Sequence, residues 1–242
     1  MRQLPLGVRL PDRAVFASFL TARNGEAVEH LEAVARGTSS GMSFICGPKG
    51  AGKSHLLQAT CVLASESMRA GYFPLSELRP LGVEALEGLP QLDCICLDDL
   101  DAVTGDGAWE RALFGLYRES EERGTRLVAA TQLPPALTAW TLADLASRFA
   151  ASAVFQLRAL SETKQRDALQ LRARVRGFEL PDDTTTWLQR RFPRDMASLF
   201  ELLDTLDEAA LVAQRRLTVP FIREVLERRG QPEREGGNPP SQ

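Results

Sequence analysis

Gly47-Pro48-Lys49-Gly50-Ala51-Gly52-Lys53-Ser54 fits the pattern G-x-x-x-x-G-K-[ST] in full. Residues of these types bind phosphate for direct physical reasons. The glycines let successive backbone N–H groups turn inward around an anion. A helix that starts where the loop ends presents its partial positive charge to the same anion. Lys53 is placed to reach the β- and γ-phosphates of a nucleotide, Ser54 is placed to ligate Mg²⁺, and His55, next in sequence, is read with the loop as nucleotide-binding. The flanks agree with this reading. Ser43 to Cys46 is a short apolar run of strand type. Residues 53–69 read as a helix with a stripe of Leu56, Leu57, Thr60, Leu63 and Ala64.

Working outward, residues 26–35 carry Ala27, Leu31, Val34 and Ala35 on one helical face. Strands are expected at Tyr72 to Leu75, 92–97, 126–131 and 153–157, with a helix over 108–123 and a break at Pro134-Pro135. The run LDCICL (92–97) is apolar at nearly every position, as a central parallel strand buried on both faces requires. Strands alternating with helices predict an α/β fold with a central parallel sheet flanked by helices.

Beyond Leu160 the pattern is wholly helical, which predicts a small C-terminal α-helical domain. Ser161 caps its first helix and Gly177 closes it. Pro181-Asp182-Asp183 opens the second helix and Phe192-Pro193 breaks it. Residues 195–213 form the third, and Thr218 and Pro220 open the fourth. The expected organisation is an extended arm (1–12), the α/β domain (13–159), the helical domain (160–229) and a disordered tail (230–242).

The strand at 92–97 runs into Asp98-Asp99. A phosphate loop needs a carboxylate at the end of a neighbouring strand to hold its metal. Asp98 is assigned to Mg²⁺ or its water shell, with an N-cap or a solvated turn as the alternative for the pair.

Composition narrows the remaining classes. The chain has 242 residues, 44% hydrophobic and 25% charged, with net charge −3. That balance argues against broad binding to DNA or RNA, which needs a clustered basic surface. Cys46, Cys61, Cys94 and Cys96 all lie in apolar runs, which predicts buried, reduced thiols rather than a metal site. No apolar run approaches a membrane span and no apolar leader follows Arg2, so a cytoplasmic location is expected.

Several blocks go beyond a generic phosphate loop. They are GPKGAGKSHLLQA (47–59), Asp98-Asp99, TQLPPAL (131–137), DLASRF (144–149), LQLRARVRGFELPDD (169–183), RDMASLFELLDTLDEAA (194–210) and LTVPFIREVL (217–226). Together they resemble the DnaA/Hda family of bacterial AAA+ proteins over roughly residues 3–226. DnaA continues into a helix-turn-helix DNA-binding domain. This sequence ends after the lid-like helices and a short tail, which places the resemblance nearer the Hda branch.

The resemblance implies an adenine nucleotide, ADP or ATP, with Mg²⁺. It implies that Arg148 is an arginine finger acting in trans on DnaA, on another copy of this chain, or on both. Asp99 stands where many AAA+ enzymes have a water-polarising glutamate, and is one methylene shorter. Thr131 takes the first-sensor position, with Gln132 where family members often carry an acid. Arg194 takes the second-sensor position. Phe16, Phe19 and Asn24 either flank the adenine or pack in the core. Gln3-Leu4-Pro5-Leu6 resembles the peptide that docks on the DNA polymerase sliding clamp, with Leu4 and Leu6 as anchors and Gln3 as amide donor.

The implied function is negative regulation of replication initiation. DnaA and the clamp would be its partners, DNA would be met only through them, and turnover of the chain's own nucleotide would be weak or absent. The alternatives are an autonomous ATPase and a helicase loader of the DnaC/IstB kind.

Overall fold

The computed structural model describes residues 14–191, 198–200, 202–203, 205–206, 209 and 218–228. The expected clamp-binding arm (1–12), Arg194 and the expected tail (230–242) lie outside the described residues. The chain divides into two compact units between Leu160 and Ser161.

The first unit is built on a five-stranded sheet in the order β2-β3-β4-β1-β5. The strands are β1 (Met42–Cys46), β2 (Ala70–Pro74), β3 (Cys94–Asp98), β4 (Arg126–Thr131) and β5 (Ala153–Gln156). All pairings are parallel, with Cys46 opposite Thr131 on one side and Gln156 on the other. The helices are α1 (Gly25–Ala35), α2 (Lys53–Ala64), α3 (Leu75–Leu78), α4 (Gly107–Arg123) and α5 (Ala143–Ala150).

Alternation along the strands builds two cores. Ile45, Cys94, Cys96, Val128 and Ala130 face α1 and α2, packing on Leu31, Leu56 and Leu57. Phe44, Ile95, Leu97, Leu127 and Ala129 face α4 and α5, packing on Leu113, Leu116, Leu145 and Phe149. All four cysteines are buried free thiols, and burial pushes Cys61 up to about 11.

Some element boundaries differ from the sequence reading. The helix expected over 53–69 stops at Ala64, where the Ser65 hydroxyl takes the Cys61 carbonyl at 2.7 Å. The strand expected from Tyr72 to Leu75 is Ala70–Pro74, and Leu75 opens α3 instead. β3 begins two residues later than expected and takes in Asp98. β5 ends at Gln156. Helix α5 was not expected at all: its buried residues are Leu145 and Phe149 alone, too few to show a period in a short segment.

The second unit is helical. Ser161 caps α6 (Glu162–Val175) by accepting from Lys164 N at 3.5 Å, and Gly177 follows with φ 83°. Then come α7 (Asp182–Arg191), helical residues between 198 and 209, and α8 (Val219–Arg228). Leu169, Leu188, Leu199, Leu203, Leu206 and Ile222 are among its buried apolar residues. The Arg172 guanidinium lies over the Phe200 ring at 4.5 Å. Among the described residues no helix is long and apolar enough to cross a membrane.

Candidate functional site

The 47–54 loop leaves the C-terminal end of β1 and enters α2. Gly47 N donates to Thr131 O at 3.2 Å, and Leu157 N donates to Cys46 O at 2.7 Å, so both neighbouring strands hold its root. Gly52 has φ 95°, and a Cβ there would stand 2.6 Å from Phe19 Cε2. Glycine is therefore required twice over, for the left-handed backbone and for the ring pressed against it. Gly50 has φ 80° but open space around its missing Cβ. Pro48, Lys49 and Gly50 are exposed and Ala51 is buried under the loop. Lys53 Nζ donates to Gly47 O at 2.8 Å and to Pro48 O at 3.2 Å. Both acceptors are backbone carbonyls rather than carboxylates.

Asp98 is 1% exposed at the end of β3, on the same face of the sheet as α2. The Tyr72 hydroxyl donates to its Oδ2 at 2.7 Å and Asp99 N donates to its Oδ1 at 2.9 Å. Burial pushes the Asp98 carboxyl above the usual range, while hydrogen bonds from Ser54 and Tyr72 pull it back down. A hydroxyl and a carboxylate of this kind form a hard oxygen pair that suits Mg²⁺. Ser54 therefore reaches the buried carboxylate, with Lys53 beside it at the start of α2, and a loop, a lysine, a hydroxyl and a carboxylate of these kinds are chemically suited to a nucleotide phosphate with its metal.

The remaining candidate residues make contacts of their own. Asp99 has φ 52° and its exposed carboxylate accepts from Ser76 Oγ at 2.8 Å. His55 Nε2 lies 3.0 Å from Val15 O and 3.4 Å from Ser18 Oγ, so it pins the segment leading into the domain. Asn24 clamps Arg158 reciprocally, donating to its carbonyl at 3.2 Å and accepting from its N–H at 2.9 Å. Phe16 and Phe19 pack partly buried against the core on the α1/α2 side. The Thr131 hydroxyl is buried with no hydrogen-bond partner among the described residues. Gln132 N donates to Asp101 Oδ2 at 2.8 Å, a tie between the ends of β3 and β4 that the sequence reading missed. The acidic run Asp98-Asp99-Leu100-Asp101 was the available signal.

Arg148 is exposed in the last turn of α5. Beside it stands Tyr117, whose hydroxyl donates to Glu121 Oε1 at 3.3 Å. Burial raises the Tyr117 phenol, Glu121 raises it further, and Arg148 opposes both. Tyr117 also lines a cleft of about 220 Å³ with Gly41, Met42, Ser120 and Leu127, at the start of β1 and β4. Arg148 therefore sits near the N-terminal edge of the sheet, whereas the phosphate loop leaves the C-terminal edge. The length of β1 between them is roughly 15 Å at about 3.3 Å per residue.

Residues 162–226 match the family model described as the lid domain of Hda. That stretch of the chain is similar to an Hda lid. Its first unit has the AAA+ fold, and solved structures share the architecture. Domain III of the Thermotoga maritima replication initiation protein DnaA superposes with TM-score 0.70 at 19% identity, covering 91% of this chain and 98% of that one. AMPPCP-bound DnaA from Aquifex aeolicus gives 0.61 at 19% identity, covering 78% of this chain and 63% of that one. The Thermotoga maritima RuvB Holliday junction branch migration motor gives 0.58 at 16% identity, covering 90% and 72%. At these identities the likeness is one of fold. The Hda lid match lies wholly in the second unit, where Ser161, Gly177 and Pro181 set the helix ends.

Proposed function

We propose that the chain is a cytoplasmic, nucleotide-bound adaptor that restrains replication initiation by stimulating hydrolysis of ATP held by DnaA. The observation that carries this reading is the place of Arg148. It is exposed at the opposite edge of the sheet from the chain's own phosphate loop. An arginine so placed serves a nucleotide on a neighbouring subunit better than its own.

In the proposed reaction water attacks the γ-phosphorus and the bond to the β–γ bridging oxygen breaks. Arg148 donates hydrogen bonds to the charge that develops on the transferring group and the leaving oxygen. An arginine in this role is worth roughly 10³–10⁵ in rate. The metal ligands and the water-orienting group belong to the partner. This chain's Lys53, Ser54 and Asp98 would hold ADP or ATP with Mg²⁺, which supplies charge neutralisation at the phosphates. The AMPPCP-bound Aquifex aeolicus DnaA of like fold supports adenine as the base. Gln3, Leu4, Pro5 and Leu6 would seat the protein on the sliding clamp, so that DNA is met through the clamp and DnaA. The Hda lid supports DnaA as the partner.

A second reading has one observation in its favour: Ser54 bonds to Asp98, with Lys53 next to it in the phosphate loop, so the chain could turn over its own ATP. One experiment separates the two. Phosphate release from ATP-loaded DnaA is followed with this protein and clamp-loaded DNA, against Arg148→Ala and Leu4→Ala/Leu6→Ala. The adaptor reading expects both variants to lose the stimulation. Turnover by the chain alone that Lys53→Ala abolishes and partners do not change supports the second reading.

A further inference from the structure

Glu110 lies in the first turn of α4 and is 0% exposed. Its carboxylate accepts five hydrogen bonds from two separate segments. Gly105 N donates to Oε1 at 2.8 Å. Thr141 N reaches both oxygens, at 3.2 and 2.9 Å. Thr141 Oγ1 and Leu142 N each donate to Oε2 at 2.7 Å. Leu142 is the N-cap of α5, so a buried negative charge sits at the positive end of the helix that carries Arg148. A buried carboxylate is tolerated where its lone pairs are used, and five contacts from four donors occupy those of Glu110.

The contact fixes a register. Glu110 and Tyr117 lie about two turns apart on one face of α4. Leu142 and Arg148 are separated by nearly the same distance along α5. Glu110 holds Leu142 at one end, and Tyr117 stands beside Arg148 and Phe149 at the other, with the Tyr117 and Phe149 rings 6.3 Å apart. Phe149 is locked in turn by Phe44 at 5.0 Å and Trp140 at 5.2 Å. The two helices thus run side by side in the same direction. The Gly105 bond adds the loop that leaves Asp98 and Asp99 to the same carboxylate.

We propose that Glu110 is the positioning residue for Arg148, holding α5 in the register from which the guanidinium reaches a partner's phosphate. This rests on the reading of Arg148 given above. A displacement of about 1 Å at a catalytic group can lower a rate roughly 10²-fold.

The test uses full-length protein with 5-fluorotryptophan in place of its three tryptophans, Trp109, Trp140 and Trp187. Trp140 reports the start of α5 and Trp187 reports the lid domain. With Glu110→Gln, the Trp140 fluorine signal moves or broadens while Trp187 stays. Maximal stimulation of DnaA-bound ATP hydrolysis falls between about tenfold and 10²-fold, and the concentration giving half-stimulation changes less than about twofold. Adding Glu110→Gln to Arg148→Lys lowers the rate by less than it does in the wild type. If all three signals collapse, Thr141→Ala is used, which removes one of the five bonds; it must still move Trp140 and lower the maximal rate. An unmoved Trp140 signal overturns the proposal. So does a full maximal rate with a displaced signal. If Arg148→Ala leaves stimulation unchanged, the reading of Arg148 fails, and the proposal built on it fails at that step rather than at Glu110.

Discussion

Gly52 and Gly50 both have left-handed backbones in the phosphate loop, yet their surroundings differ. A Cβ at Gly50 meets nothing within 4 Å, whereas one at Gly52 would lie 2.6 Å from Phe19 Cε2. Placing alanine in the left-handed region costs roughly 1–2 kcal/mol. Forcing extra volume against a packed ring adds roughly 1–3 kcal/mol. Gly50→Ala should therefore cost about 1 kcal/mol and Gly52→Ala about 3 kcal/mol. In a chain of this size each kcal/mol lowers the Tm by roughly 2–4 °C, so the expected losses are about 3 °C and 9 °C. Phe19→Ala removes the ring, and in that background the Gly52→Ala cost should fall to about that of Gly50→Ala. Thermal unfolding of the four proteins in the cycle, with Gly50→Ala beside them, gives the coupling directly. Calorimetric titration with ADP should show Gly52→Ala losing about tenfold or more in affinity, since the loop must move to admit the methyl group. Equal losses for the two glycines, or an additive cycle, would refute the packing of Phe19 on the loop.

Other consequences follow from single groups. Lys53→Ala removes a charged donor from the loop and should weaken ADP binding by between about tenfold and 10²-fold in the same titration. The raised Asp98 carboxyl works against folding as it ionises, so its unfavourable contribution grows as pH climbs from the ordinary carboxylate range through the raised value. Nucleotide-free Asp98→Asn should therefore melt above wild type at pH 7, with the gap closing in acid, and should lose the Mg²⁺-dependent part of nucleotide affinity. Glu110 has the opposite sign. Burial pushes its carboxyl up, but bonds from the Thr141 hydroxyl and from the N–H groups of Leu142, Gly105 and Thr141 hold it below the usual range. Its stabilisation is complete above the ordinary glutamate range and is lost as pH falls through the lowered value. Melting curves of wild type and Glu110→Gln should therefore differ most near neutrality and converge in acid.

What the sequence made legible was local. The phosphate loop is contiguous, so its eight residues, the strand before them and the helix after them can all be read together. β4 is a continuous apolar run with clear stops, and its bounds came out as expected at Arg126 and Thr131. Asp98 was legible because an apolar run ends on it. Nonlocal arrangements were not. Nothing near Glu110 in sequence announces Thr141 and Leu142 as its partners, since the bonds form only once α4 and α5 lie together on the sheet. His55 read as part of the phosphate loop because it follows Ser54, yet its ring faces Val15 and Ser18 across a chain separation no local pattern records. The left-handed turn at Asp99 and its bond to Ser76 depend likewise on α3 starting where a strand was expected to continue.

On the proposed function, Arg148 serves a phosphate the chain does not itself hold. The most direct test is a single turnover in which labelled ATP is bound to DnaA alone, this protein is saturated beforehand with unlabelled ADP, and the clamp is loaded on DNA. Wild type should release labelled phosphate rapidly, and Arg148→Ala should lower that rate roughly 10³-fold or more. Equal release with and without the Arg148 guanidinium would contradict that reading.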